Sequence, residues 1–206
     1  MNPICKFLCL LIFFKVGVIH GASSDDNSRF FTFTFENDVF VGEDDGYTNG
    51  TGITFGRAGI DEFNVTNVPR WINWLIKDQY IATRPNKTRA IAHMFFQRMQ
   101  TPTDITDRAF LADDLPYAGL LAWQGTAYSW DEDVSDQLSL FLGLIGPSTL
   151  AEQSQKAIHN LIGADDPRGW DFQLENEPVV KIKMQRTWSF YRNENNRLQY
   201  LSLIHI

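Results

Sequence analysis

Residues Phe31 to Gly50 read FTFTFENDVFVGEDDGYTNG, and the first six alternate apolar and polar without a break. Side chains along a strand alternate with a period of two, so Phe31, Phe33 and Phe35 share one face while Thr32, Thr34 and Glu36 share the other. A soluble β-sandwich accommodates the same pattern. Five further stretches read as strands: Asn49 to Arg57, Arg89 to Gln100, Tyr117 to Trp130, Asp136 to Gly146 and Val179 to Tyr191. In the second, Gly50, Gly52 and Gly56 lie opposite Thr51, Ile53 and Phe55, which suits a crowded lumen or a helix pressed on the wall. The fourth is long and ends in aromatic residues, as strands crossing a bilayer between interfacial girdles do. The fifth places Leu138, Leu140, Leu142 and Leu144 on one face, a lipid-facing or core stripe.

The chain opens MNPICKFLCLLIFFKVGVIHGASS, with Lys6 ahead of an apolar run and small residues at Gly21, Ala22 and Ser23. Residues 1–22 therefore resemble a secretory signal peptide. The run is too short for a helical span, which needs about 20 apolar residues. Both cysteines, Cys5 and Cys9, lie within residues 1–22, so neither a disulfide framework nor thiolate chemistry is expected of the mature chain. The formal charge of −7 includes Lys6 and Lys15 and no acid from residues 1–22. The remainder is more acidic still, which argues against nucleic acid as a partner. Beyond residue 22 no apolar run approaches a helical span, so a membrane protein of this sequence has to be a β-barrel. The final residues, LSLIHI (201–206), resemble the translated end of a sequencing-library adapter. They are expected to be a non-native scar after a domain at 23–200; a natural apolar strand end is the alternative.

One segment has helical signals. Thr149 and Glu152 have capping-box spacing, LAEQSQKAIHNLI follows, and Gly163 is placed to end it. Glu152, Gln155 and His159 share a face of that helix, while Leu150, Ala157, Ile158 and Leu161 mostly occupy another. Trp71 to Gln79 reads as a short amphipathic helix in a loop, and Pro102 to Pro116 as a polar connection. With no internal repeat or linker, one domain is expected. A lone histidine on an amphipathic helix is more often a surface residue than a catalyst. His93 sits among apolar neighbours and reads as a lumen or core residue. His159 is the better base, with Gln155 one turn before it and Asp165 shortly after the helix. Asn37-Asp38 before a loop is equally a turn signal.

Six elements occur in order: Glu36-Asn37-Asp38; Asp45-Gly46-Tyr47-Thr48-Asn49-Gly50; Asp114-Leu115-Pro116-Tyr117-Ala118-Gly119; Gly143-Leu144-Ile145-Gly146-Pro147; Gln155 with His159; and Gly169-Trp170-Asp171 through Gln173-Leu174-Glu175-Asn176. Together they resemble the outer-membrane lipid A 3′-O-deacylase family, over about Phe30 to Tyr191. The resemblance implies an all-β fold, a transmembrane antiparallel barrel of about twelve strands, about half of them in this chain, with a short helix at the active site. It implies lipid A as substrate, the outer membrane of a Gram-negative bacterium as location, a monomer, and calcium-dependent ester hydrolysis. By matching positions, His159 would activate water, Asp38 would bind calcium, Asn37 and Thr48 would line the same site, and Gln155 would orient or support the histidine. Asp165 stands where the characterised member of the family has a glutamate, Leu115 where an arginine is common, and Ala151 where many members have glycine. Pro116-Tyr117 and Gly169-Trp170 read as structural, a strand start and an interfacial aromatic.

The chemistry is consistent with the residues. Ester cleavage needs a base that works near neutrality and a charge to hold the developing oxyanion; calcium prefers carboxylate, amide and carbonyl oxygens, and Asn37, Asp38 and Thr48 supply oxygen chemistry of this kind. No Gly-x-Ser-x-Gly elbow is present, and the histidines are too far apart in sequence to suggest zinc. A non-catalytic, porin-like barrel and an outer-membrane phospholipase are the competing readings.

Overall fold

The computed structural model describes residues 28–37, 49–109, 113–192 and 199–205. Among them seven strands form one antiparallel sheet in strict sequence order: β1 (Ser28–Asn37), β2 (Asn49–Ile60), β3 (Thr88–Gln100), β4 (Ala118–Trp130), β5 (Val134–Ile145), β6 (Glu177–Arg192) and β7 (Gln199–His205). The six strands expected from alternation are all present, with bounds shifted by a few residues at most. The seventh, Gln199–His205, pairs with β6 and includes most of the LSLIHI segment.

The register carries the alternation across the sheet. Phe31 faces Phe55, Phe55 faces His93, Phe95 faces Trp123, Trp123 faces Leu142 and Leu142 faces Val180. This face is apolar and open: Phe31 is 50% exposed, Val180 69% and Ile182 67%. The opposite face carries Thr34 against Gly52, Met94 against Gln124, Thr126 against Ser139 and Phe141 against Lys181. Polar groups there bond to one another, Thr126 with Ser139 at 3.0 Å and Gln137 to Ser139 at 3.0 Å. Gly50, Gly52 and Gly56 of β2 lie on this polar face, and a Cβ on Gly56 would stand 2.6 Å from the Phe30 ring. His93 is on the apolar face, between Phe55 at 5.5 Å and Trp123 at 5.8 Å. Lys181 and Lys183 share the polar face, but Arg186 has the other parity and is spent on buried Asp136 at 2.6 Å.

Connections at the two ends differ. The 38–48, 101–117 and 146–176 segments join strands at one rim; the three-residue turn 131–133 and the 61–87 segment join them at the other. The 61–87 segment contains α1 (Arg70–Ile76), which is the helix expected from Trp71 to Gln79, and a second short helix beyond it, α2 (Tyr80–Thr83). Ile72, Ile76 and Ile81 bury against Ile60, Ile91 and Ala127, forming one of two apolar clusters among the described residues. The other lies under α3 (Ala151–Ile162).

Candidate active site

The second cluster consists of Met99, Tyr117, Ala151 and Trp170, with Ile105 against it. It joins three segments that are remote in sequence at the rim where β3 ends and β4 begins. The rings of Tyr117 and Trp170 are 4.8 Å apart, the Tyr117 hydroxyl donates to the Ile105 carbonyl at 3.1 Å, and Leu174 N donates to the Tyr117 carbonyl at 3.0 Å. Pro116-Tyr117 and Gly169-Trp170 are thus structural, as read from sequence. Trp170 is buried to 2% exposure, however, not an interfacial aromatic. Burial pays for the loop's order because an aromatic pair removes a large apolar area from water.

The start of α3 differs from a capping box. Thr149 ends a 3₁₀ turn (Pro147–Thr149), the left-handed Leu150 is the N-cap, and no side chain caps the helix. The Thr149 hydroxyl turns inward and donates to the Gly146 carbonyl at 2.6 Å, while Gln97 Nε2 donates to the Thr149 carbonyl at 2.6 Å. Glu152 is then free to pair with Lys156 one turn on, at 2.6 Å. Capping by Thr149 is lost because the chain needs that hydroxyl to close against the wall. Gly119 makes this approach feasible, since a Cβ there would sit 2.5 Å from the Ala151 Cβ and collide with Thr149 Oγ1. Gly146, at φ 106°, lies against Glu175 and Asn176, and Asn176 Oδ1 accepts from Ser148 N at 3.0 Å. The Gly146-Pro147 and Glu175-Asn176 motifs are therefore two halves of one contact.

The polar face predicted for α3 does form, but its members have separate partners. Gln155, 1% exposed, accepts a 2.8 Å bond from Trp170 Nε1, and its Nε2 has no partner. Gln155 thus fastens the helix to the loop core, and its bond goes to Trp170 rather than to His159. The helix ends at the left-handed Gly163, as predicted. That turn brings the backbone carbonyl of Asp165 to 2.5 Å from His159 Nδ1. A carbonyl can only accept, so Nδ1 carries the proton and Nε2 presents its lone pair. Asp165 meets the histidine through its main chain, which residue type could not reveal. The apolar face predicted for α3 is not its buried side: Leu150, the N-cap, is 58% and Leu161 86% exposed, and burial falls on Ala151 and Gln155.

Between α3 and the apolar face of the sheet lies a cavity of about 540 Å³, lined by Ser154, Ala157 and Ile158 on the helix and by Ile53, Phe95 and Leu121 among others on the wall. Asp38 and Thr48 lie outside the described residues. Asn37 closes β1 at the same rim, paired in register with Asn49, and Thr51 two residues further along β2 lines the cavity. The described residues contain no cluster of three or more histidine, cysteine or acidic side chains able to hold a metal. The oxygen donors of Asn37, Asp38 and Thr48 suit a hard cation by type.

Residues 7–205 match the family model described as Outer membrane protein LpxR. The chain belongs to this family. Among solved structures, LpxR from Salmonella typhimurium matches with a TM-score of 0.54 and 16% sequence identity, covering 70% of this chain and 41% of that one. At that identity the likeness establishes the fold, and this chain spans less than half the length of that LpxR. A search of the curated proteins gave no match. Within the LpxR fold, the ordered sheet here is a contiguous arc of antiparallel wall, and α3 with its Tyr117–Trp170 support stands at one rim of it.

Proposed function

We propose that this protein is an outer-membrane esterase that removes the 3′-linked acyloxyacyl group from lipid A. The observation that carries the reading is the bond from His159 Nδ1 to the Asp165 carbonyl, which leaves Nε2 as the available base on the same helix that lines the apolar cleft through Ser154, Ala157 and Ile158. The apolar face meets the acyl chains of the bilayer, the polar face lines the lumen, and the rim with the longer connections points out of the cell, as in barrels whose periplasmic turns are short.

In this reading an acyl chain of the substrate lies between Ile158 and the wall residues Ile53, Phe95 and Leu121, which places its ester near the end of α3. His159 Nε2 takes a proton from water as the water oxygen attacks the ester carbonyl. The tetrahedral intermediate then collapses, breaking the bond to the sugar 3′ oxygen. His159 returns the proton to that oxygen, giving a free hydroxyl on lipid A and a released fatty acid. Asp38, with Asn37 and Thr48, would hold calcium, whose charge supplies stabilisation for the developing oxyanion when bound. Gln155 keeps α3 seated by holding Trp170.

The test is hydrolysis of purified lipid A by the reconstituted protein with calcium or with chelator. His159→Gln should lower kcat by at least about a thousandfold while the protein stays folded in the membrane. Hydrolysis of phospholipid but not lipid A would redirect the reading to a phospholipase. Full activity of His159→Gln would sink the base.

A further inference from the structure

We propose that α1 is a membrane-embedded element in the leaflet opposite the active site, and that it clamps a phospholipid acyl chain against the outer wall. The inference rests on reading the apolar face as the lipid-facing one. Through Ile72 and Ile76, α1 packs on Ile91 and Ala127, which have the parity of Phe95 and Leu121, and Trp71 lies 5.2 Å from Trp123. The helix therefore sits on the apolar face and not on the polar one. Its own outer side remains apolar: Trp71 is 44%, Leu75 42% and Trp74 70% exposed. A loop helix surrounded by water carries polar residues there, whereas a helix lying in a bilayer interface carries tryptophan and leucine.

The position of α1 is built rather than incidental. The Arg89 guanidinium gathers the carbonyls of Ala82 at 3.1 Å, Arg84 at 2.5 Å, Lys87 at 3.0 Å and Asp61. Lys87 pairs with Asp131 of the tight turn at 2.6 Å. The whole 61–87 segment is thereby tied to the rim away from α3, and α1 is folded back over the wall. Between them a cavity of about 290 Å³ is lined by Trp71, Leu75, Leu138, Leu140, Ile182 and Met184 among others. The exposed wall residue Ile182 makes this groove continuous with the rest of the lipid-facing surface. Its lining suits hydrocarbon, and at the two ends of α1 the exposed Arg70, together with Lys77 beside Asp78 at 3.8 Å, offers cations to a phosphate headgroup.

The experiment uses the protein reconstituted in bilayers of phosphatidylcholine carrying dibrominated acyl chains, which quench tryptophan on contact. Quenching should fall by more than about a third in Trp71→Phe/Trp74→Phe, since two of six tryptophans are removed and Trp170 is buried away from lipid. In addition, native mass spectrometry of detergent-purified protein should find a retained phospholipid that Leu140→Trp, filling the groove, expels. Unchanged quenching in the double variant, with the other tryptophans still quenched, would mean that protein covers α1. That overturns the proposal and leaves the membrane reading standing; cross-links between copies would then identify a second subunit as the cover. No quenching of any tryptophan would remove the membrane reading as well. Equal phospholipid retention by Leu140→Trp would overturn the groove.

Discussion

The contact between Gln155 and Trp170 gives the sharpest test of how α3 is held. Both side chains are buried, and the indole N–H has Gln155 Oε1 as its partner at 2.8 Å. Gln155→Leu strands that N–H, a penalty of about 1–3 kcal/mol, yet it also removes the unpaired Gln155 Nε2 and recovers part of it. A net loss of about 1 kcal/mol is expected. Trp170→Phe strands Oε1 and loses packing against Tyr117, for about 2–3 kcal/mol. In the double variant neither group is stranded, so the losses should fall short of their sum by about 1–2 kcal/mol. The assay is amide hydrogen exchange over residues 151–162, where each 1.4 kcal/mol is about a tenfold change in opening. Losses that add within about 0.5 kcal/mol would refute the assignment of this bond as the fastening of α3.

Further outcomes follow from the same geometry. Gly119→Ala should displace the start of α3 from the wall, destabilise by about 1–3 kcal/mol and cut activity far more than Gly163→Ala; wild-type activity in Gly119→Ala would contradict the close approach. Asp165→Ala should keep kcat within a few-fold of wild type, because the contact with His159 is made by the main chain; a loss above about a hundredfold would assign the carboxylate a role. The hydrogen bond from Lys87 is the main reason that the Asp131 carboxyl is lowered to about 2. A depressed acid stabilises the fold above its unfolded value of 3.8 and loses that contribution as pH falls toward 2. Since Asp131 is 40% exposed, the contribution is discounted for screening to roughly 1 kcal/mol. Urea titrations from pH 5 to pH 2 should show that loss in wild type and not in Asp131→Asn.

Strands were most legible where alternation survives, as from Phe31 to Glu36 and along the leucines of β5, and tertiary packing had no reason to override it there; β7 was not among the six stretches expected. The end of α3 at Gly163 was legible for a similar local reason. Its beginning was not: Thr149 has the residue type of a cap, but the wall claims its hydroxyl through the approach at Gly119, which is 30 residues away in sequence. The same applies to Gln155. Spacing placed it one turn from His159 and suggested a partnership, whereas Trp170 arrives from a distant loop and takes the bond. Backbone donors and acceptors, such as the Asp165 carbonyl, carry no residue-type signal at all.

The most direct measurement of the central claim is mass spectrometry of lipid A from Gram-negative cells expressing the protein, grown with and without calcium. The account predicts calcium-dependent loss of the 3′ acyloxyacyl group, absent in His159→Gln. Intact lipid A, with the protein shown to be folded in the outer membrane, would contradict it.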